Sequence, residues 1–538
     1  MSSVDSSWYE RRGLRTAESF GHFLETCAGF WPDREVVSFG DVRYSYGDLH
    51  RWSLAAARQL VAMGLRPGGR VMIQAVNSVE LLVAQFAAWR VAGVTIPIVP
   101  MYRAHELRTI VAELSPEIVV SSGRVASRCY CTELDELFTE TGHGPIARIV
   151  LSSPVYRPGW TTLAPAPAAD ARIDAEGLPE PAPGSDCAVI LYTSGSTAAP
   201  KGAMLRSSAI VANARAFQRT IGLGQDDVML CATPLGHTGA LINGVIVPMS
   251  AGARSVVLPV WKPDEAVAAI ARERATAMSA PPLILQDLVE RYEASPREGH
   301  RLQKFYGGGG AVAPSLVQRA DAVGVRAIRA FGMTETTGNF TVCHTDEAFD
   351  RRARFDGRPL YGNELGVVDE ARRPLPRGAV GEVRVRGPSL FMGYTDPALT
   401  EAQVDAEGWF YTGDLGRVDE DGWLTIEGRL KDIINRGGEK FSSQDIEAAI
   451  ASHPDVADVA VVGAPDPRYG EVVAAFVRLK PQAAWSGPEA LLEHLEAARL
   501  AKQKRPVQWH VLEEFPRTPS GKVQKQALRA RLWSGSDS

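Results

Sequence analysis

The apolar residues fall in short blocks whose spacing changes along the chain, and each change marks an element. Residues 70–76 form an apolar run after a Pro-Gly turn and predict a short strand. Leu81, Leu82, Phe86 and Trp89 then recur at close to the helical period, and residues 94–100 read as a buried strand running into a turn. The whole stretch 79–100 is broken by Glu80, Gln85 and Arg90. A membrane-spanning helix needs about 20 mainly apolar residues, so a helix followed by a core strand is the better reading. Further β-favouring runs lie at 116–120, 146–151 and 187–192, and a second series at 228–230, 255–258 and 326–328. Strands alternating with helical stretches predict layered α/β architecture, with two α/β subdomains in a large N-terminal body. Residues 154–186, rich in Pro, Ala and Gly, read as a surface connection. After Gly381 the texture changes: residues 382–386 alternate at period two, and Asp419-Glu420-Asp421-Gly422 reads as a hairpin turn. Beyond Arg429, a helix beginning at 445–450, a strand at 456–462 and a helical region at 488–504 supply a small independent domain.

Composition narrows the class. A chain of 538 residues exceeds what one core can serve, and about three domains are expected. Lys plus Arg is 58 and Asp plus Glu is 63, so the formal charge is 58 − 63 = −5. That balance offers no broad cationic face, so no nucleic-acid or anionic-lipid partner is expected. The six cysteines lack a metal-site spacing. Together with an N-terminus without a signal-type apolar core, they predict reduced thiols, a cytoplasmic location and no stable membrane insertion.

Four segments carry candidate chemistry. Tyr192-Thr193-Ser194-Gly195-Ser196-Thr197-Ala198-Ala199-Pro200-Lys201-Gly202 follows a strand and combines hydroxyls, small residues and a lysine, as a loop that grips polyphosphate requires. Its order is not that of the common P-loop, and a plain Ser/Gly turn has the same composition. Phe331-Gly332-Met333-Thr334-Glu335-Thr336-Thr337-Gly338 offers an aromatic face for a purine, a glycine leaving room beside a ligand and a hard oxygen for Mg2+; a helix cap uses the same residues. Gly408-Trp409-Phe410-Tyr411-Thr412-Gly413-Asp414 presents a carboxylate able to bind both ribose hydroxyls, or a Gly/Asp turn. Arg429 follows fifteen residues on, ahead of Gly437 and Gly438. In Pro516-Arg517-Thr518-Pro519-Ser520-Gly521-Lys522-Val523 a long cationic side chain at a loop tip can reach a site built by another domain; an exposed tail lysine is the ordinary alternative.

In order and separation these segments resemble the ANL family: acyl-CoA synthetases, adenylation domains of nonribosomal peptide synthetases, and luciferases. The resemblance runs from about Arg43 to Lys525. It implies residues 1–430 as an adenylate-forming domain of two α/β subdomains plus a distorted β-barrel, and residues 431–538 as a small mobile α/β lid. It further implies that Thr193, Ser194, Gly195, Ser196, Thr197 and Lys201 form the ATP phosphate loop. Phe331 would stack near adenine, Thr334 approach phosphate and Glu335 bind Mg2+. Asp414 and Arg429 would hold ribose, Lys522 would be the adenylation lysine, Lys431 would fall at the hinge, and Gly437 and Gly438 would approach the pantetheine arm of coenzyme A. Two residues depart from the family pattern. Ala198 stands where glycine is common, adding strain if the backbone there needs positive φ, and Phe331 replaces the usual tyrosine while keeping its face.

By the same resemblance, His237 and Gly239 adjoin the carboxylate, and Gly307, Gly308 and Gly309 wall the acyl pocket. His237 can orient a carboxylate or cap a loop as a neutral side chain. No aspartate stands near His237 to meet an ammonium group, which disfavours amino acids. The expectation is a hydrophobic acid, of bulky alicyclic or terpenoid type, activated in the manner of cyclohexanecarboxylate- or medium-chain fatty-acid-CoA ligases. The alternatives are loading of an acyl or peptidyl carrier-protein thiol in trans, and a nucleotide-binding regulator that has lost turnover.

Overall fold

The computed structural model describes residues 6–151, 157–193, 200–295, 302–310, 312–437, 439–518 and 521–533. Two large sheets make the body. The first has eight strands in the order Gly393–Tyr394, Lys201–Arg206, Cys187–Thr193, Val94–Ile98, Arg70–Gln74, Ile118–Ser121, Ala147–Val150 and Thr161–Thr162. Its central strands run parallel and are buried, as their near-continuous apolar sequences require. Between the first two of them in sequence, Ser78 accepts from the Leu81 amide and starts the helix Val79–Arg90, which is buried at nearly every position. Even Arg90 is buried there, donating to the Pro179 carbonyl at 3.0 Å.

The second sheet has nine strands: Arg358–Pro359, Gly338–Val342, Arg326–Met333, Lys304–Gly307, Ala277–Ala280, Val228–Cys231, Arg254–Val257, Glu35–Phe39 and Val42–Ser45. The N-terminal hairpin therefore belongs to the second subdomain, Val37 pairing with Ser255 in parallel. Local patterning cannot reveal a pairing across that distance. Glu273, at the end of the helix Pro263–Glu273, locks the hairpin down: Arg43, Arg254 and Arg272 all donate to its buried carboxylate.

The barrel expected from resemblance is represented by a four-stranded antiparallel sheet, Glu364–Val368, Gly381–Arg386, Phe410–Val418 and Leu424–Arg429. Gly381–Arg386 buries every second residue, as its sequence pattern demands. One turn, Leu430–Asp432, then carries the chain into the small domain's own sheet, built from Glu439–Ser442, Ile433–Arg436, Gly470–Leu479 and Val456–Asp466, with Gln508–Val511 added alongside Gly470–Leu479. The helical region expected over 488–504 is shorter. Its helix spans Glu489–Ala497, and Arg499 at φ 57° breaks it before a separate turn, Lys502–Lys504. No helix among the described residues is long and apolar enough to cross a membrane.

Candidate active site

The antiparallel strands Cys187–Thr193 and Lys201–Arg206 bring Thr193 directly opposite Lys201. The loop they close, with Ser194, Gly195, Ser196, Thr197 and Ala198, lies outside the described residues. Its anchor is defined. Lys201 extends its ammonium over the Tyr394 ring, 5.5 Å from the centroid, and Tyr394 belongs to the edge strand that pairs with Lys201–Arg206.

Tyr394 also reaches the second segment, its hydroxyl donating to Glu335 Oε1 at 2.7 Å. Thr334 and Glu335 sit buried on the single turn Thr334–Thr336 that ends the strand Arg326–Met333. Among the described residues the Glu335 side chain caps no amide; the Thr336 hydroxyl takes that task, accepting from the Met333 amide at 2.9 Å. Gly332 answers to backbone packing, since a Cβ there would lie 2.0 Å from the Gly338 carbonyl oxygen. Gly332 also lines the cavity described below, beside Phe331. Sequence reasoning passed over Tyr394. Its signal, an aromatic on a two-residue strand far from Glu335, acquires meaning only through the sheet.

Asp414 and Arg429 are register partners on adjacent strands, with Arg429 Nε 2.9 Å from Asp414 Oδ1. They line one cavity together with Phe331, Ile426 and Lys522. A flat apolar ring, a carboxylate and exposed glycine backbone are the surfaces that suit a nucleoside. Behind them Arg329 donates twice to the Asp356 carboxylate, at 3.0 and 2.9 Å, and Asp356 Oδ2 also accepts from the Ile426 amide at 2.8 Å. This buried pair, unread in the sequence, ties the strand that carries Arg429 to the strand that carries Phe331.

Lys522 enters the same cavity from the small domain. Its loop is held closed by Thr518, whose amide donates to the Lys522 carbonyl at 2.7 Å and whose hydroxyl accepts from the Lys522 amide at 3.1 Å. Lys522 Cε lies 3.4 Å from where a Cβ on Gly309 would stand. Burial, then the Arg429 guanidinium, lowers the Lys522 ammonium to about 8, while Asp414 and Glu335 oppose the shift. Lys431 is likewise lowered by burial and by Arg429, and Lys201 acts on it in the same direction. Lys522, Arg429, Lys431 and Lys201 thus gather around Asp414 and Glu335, with Asp432 beside Lys431, a field that favours a polyanion.

His237 is half-buried, and its Nδ1 accepts from the Gly239 amide at 3.3 Å. Burial, with Lys522 adding to it, lowers the imidazole to about 4. It is therefore neutral near pH 7, with Nε2 carrying the proton. Gly239 opens an unforeseen π-helical segment, Gly239–Ile246, a rare, wide helical geometry that is frequent at functional sites. Of the wall glycines, Gly309 lines the cavity at φ 79° and Gly308 adjoins it, whereas Gly307 is buried with a Cβ position 2.7 Å from Val312 Cγ2 and serves packing. Gly437, at φ 61°, sits in the small domain's hairpin, bonded to the Tyr469 carbonyl and away from this cavity; Gly438 lies outside the described residues. A larger groove of about 460 Å³ opens between Lys431 and the last helix, but its cations Lys525 and Arg529 are paired with Glu447 and Glu471.

Comparison with known proteins agrees with this geometry. The AMP-binding enzyme family model matches residues 24–395, and the model of the AMP-binding enzyme C-terminal domain matches residues 445–522. A medium-chain fatty-acid–CoA ligase of Escherichia coli (strain K12) is 32% identical, over 97% of this chain and 92% of its own. A Mycobacterium tuberculosis ligase named for a methyl-dioxo-octahydroindenyl propanoyl:CoA product is 30% identical, over 93% of this chain and 96% of its own. Among solved structures, ATP-bound MatB from Rhodopseudomonas palustris superposes with a TM-score of 0.83 at 29% identity, covering 95% of this chain and 99% of that one. The chain therefore belongs to the AMP-binding enzymes, in the acyl-CoA-ligase-like branch of the ANL superfamily, and is an AMP-forming acid–thiol ligase.

Proposed function

We propose that the protein activates a hydrophobic carboxylic acid of bulky alicyclic or terpenoid type, using ATP with Mg2+, and passes the acyl group to coenzyme A. The observation that carries this reading is the entry of Lys522, from the small domain, into the cavity lined by Phe331, Asp414 and Arg429. The relatives' names, one for a medium-chain fatty acid and one for a bicyclic ring acid, support an apolar substrate.

The acid is already ionised at neutral pH, so its attack on the α-phosphorus of ATP needs no general base. Acyl-AMP forms as the bond to pyrophosphate breaks. Phe331 stacks on the adenine, Asp414 and Arg429 hold the ribose, and Lys201 with the hydroxyl loop grips the phosphates. Protonated Lys522 stabilises charge on the α-phosphate and the carboxylate. His237 donates from Nε2 to the acid's carboxylate, Nδ1 being engaged by the Gly239 amide. Glu335 suits magnesium, because Tyr394 fixes one carboxylate oxygen and a magnesium ion takes few protein ligands beside substrate phosphates. When bound, that ion neutralises phosphate charge.

Thioester formation requires Lys522 to leave and a thiol to enter. Residues 431–538 turn as a unit about Lys431, bringing Gly437 and Gly438 towards the acceptor's pantetheine arm. The thiol attacks the acyl carbonyl and AMP departs. Incubation with ATP, Mg2+, coenzyme A and a panel of aliphatic and alicyclic acids should yield AMP and a thioester in equal amounts. Folded protein that releases no AMP with any acid would refute the proposal, and preference for a carrier-protein thiol over coenzyme A would reassign the acceptor.

A further inference from the structure

The small domain sends a second side chain to the nucleotide cavity. Gln444 lines it together with Phe331, Asp414, Arg429 and Lys522, and the activation step gives it no task. It stands half-buried in the first turn of the helix Ser443–Ala451. Its amide forms no hydrogen bond with another side chain among the described residues.

Contacts on both sides hold that turn at the cavity. Ser442 Oγ donates to the Glu427 carbonyl, and Gly428 permits the approach, since a Cβ there would lie 2.8 Å from Ser442 Oγ. The helix therefore begins against the strand Leu424–Arg429, which ends in Arg429. From the other side Lys525 donates to Ser443 Oγ at 2.8 Å and pairs with Glu447 at 2.6 Å. Lys525 is three residues beyond Lys522. The loop that delivers Lys522 and the turn that delivers Gln444 are thus tied together and enter the cavity as one unit.

A hydroxyl has one proton to donate and two lone pairs with which to accept, whereas an ionised carboxylate only accepts. Ribose hydroxyls held by Asp414 have their protons directed at it and offer lone pairs alone, so they call for donors. Arg429 is one, with its Nε already 2.9 Å from Asp414 Oδ1. The Gln444 amide, on the side of the cavity formed by the strand of Arg429, is a second. We infer that Gln444 donates from Nε2 to a ribose hydroxyl of ATP while the small domain is docked, an inference that rests on the ATP-dependent reading above. The lid then supplies a nucleotide-binding residue beside its lysine. Turning about Lys431 withdraws both, so Gln444 counts in ATP binding and adenylation and not in thioester formation.

The test is calorimetric titration of the full chain with ATP and Mg2+, with no acid present. Gln444→Met keeps the length of the side chain and removes the donor; Gln444→Glu keeps its shape and sets a second acceptor beside Asp414. Each should raise the Kd for ATP about 5-fold or more. With either 2′-deoxy-ATP or 3′-deoxy-ATP, whichever lacks the bonded hydroxyl, the ratio of variant to wild type should fall to about one. An unchanged Kd for ATP overturns the inference, as does a ratio that persists with both deoxynucleotides. A ratio lost only with purine riboside triphosphate, which lacks the adenine amino group, places the amide on the base and overturns it too. Conversion of supplied cyclohexanecarbonyl-AMP to thioester should run equally in wild type and Gln444→Met; equal loss there and in ATP binding would mean that the glutamine serves folding. A wild type that binds ATP with this dependence on Gln444, yet exchanges pyrophosphate with no acid, overturns the acid-activation reading alone.

Discussion

Tyr394 sets the position of Glu335 and the resting place of Lys201 with one ring, a role that no motif reading of the sequence supplies. Tyr394→Phe keeps the ring under Lys201 and removes only the donor, leaving a carboxylate oxygen without its partner. A loss of about 1–2 kcal/mol follows for an interaction of this kind, roughly a 5- to 30-fold rise in the Mg2+ concentration that half-saturates pyrophosphate exchange; an unchanged magnesium dependence would remove Tyr394 from the site. Glu273 acts on stability instead. Burial opposes its charge, but hydrogen bonds from Arg43, Arg272 and Arg254 outweigh that and hold its carboxyl at about 2, below its ordinary 4.5. A lowered carboxylate contributes fully above its unfolded value and loses that contribution as pH falls through the folded one. Glu273→Gln should therefore cost about 2 kcal/mol at pH 7, and the gap in denaturant midpoint from the wild type should close between about pH 4.5 and 2. Residue types told the sequence reader which chemistry was available at Glu335, Asp414 and Lys522. They could not show which neighbour orients each one, because those neighbours arrive from other strands.

Gly309 shows, at the scale of a loop, why a glycine stands beside Lys522. It has positive φ, and a Cβ on it would touch Lys522 Cε. Gly309→Ala should slow adenylation at least about 10-fold through backbone strain and a displaced lysine, while conversion of supplied acyl-AMP to thioester, which does not use Lys522, should persist. Equal loss in both half-reactions would mean that the glycine serves folding alone. Strands and their two-residue alternation were legible wherever one face is buried, as at Gly381–Arg386. The region 488–504 was overextended because its composition continues to favour helix after Arg499 has turned the backbone left-handed. The π-helical segment Gly239–Ile246 was invisible because its apolar pattern fits any helix, and its widening is set by packing, with Gly244 held close against Cys231.

Across the whole molecule, the site exists only while the small domain is docked, and Lys522 makes docking sensitive to pH. Docked, its ammonium is lowered by burial and by Arg429 to about 8 from an ordinary 10.5. The undocked state then binds the extra proton, so the penalty is complete below about pH 8 and disappears as pH rises to about 10.5. In ATP-free protein the docked fraction, followed by a fluorescent pair across the two domains, should rise through that window and stay flat in Lys522→Met. Lys522→Ala should slow adenylate formation by at least about 100-fold and leave thioester formation from acyl-AMP nearly intact, as stopped-flow assays of each half-reaction would read. By itself the sequence determined the alternation of strands and helices, the separate C-terminal unit and the order of the four chemical segments, because local periodicity and residue type are written in neighbouring positions. Tertiary structure decided that the N-terminal hairpin completes the second sheet, that Asp414 and Arg429 are cross-strand partners and that Tyr394 holds Glu335. Those facts depend on strand register and domain docking, which bring together groups up to hundreds of residues apart, and nothing local in the chain encodes which distant backbone will lie alongside.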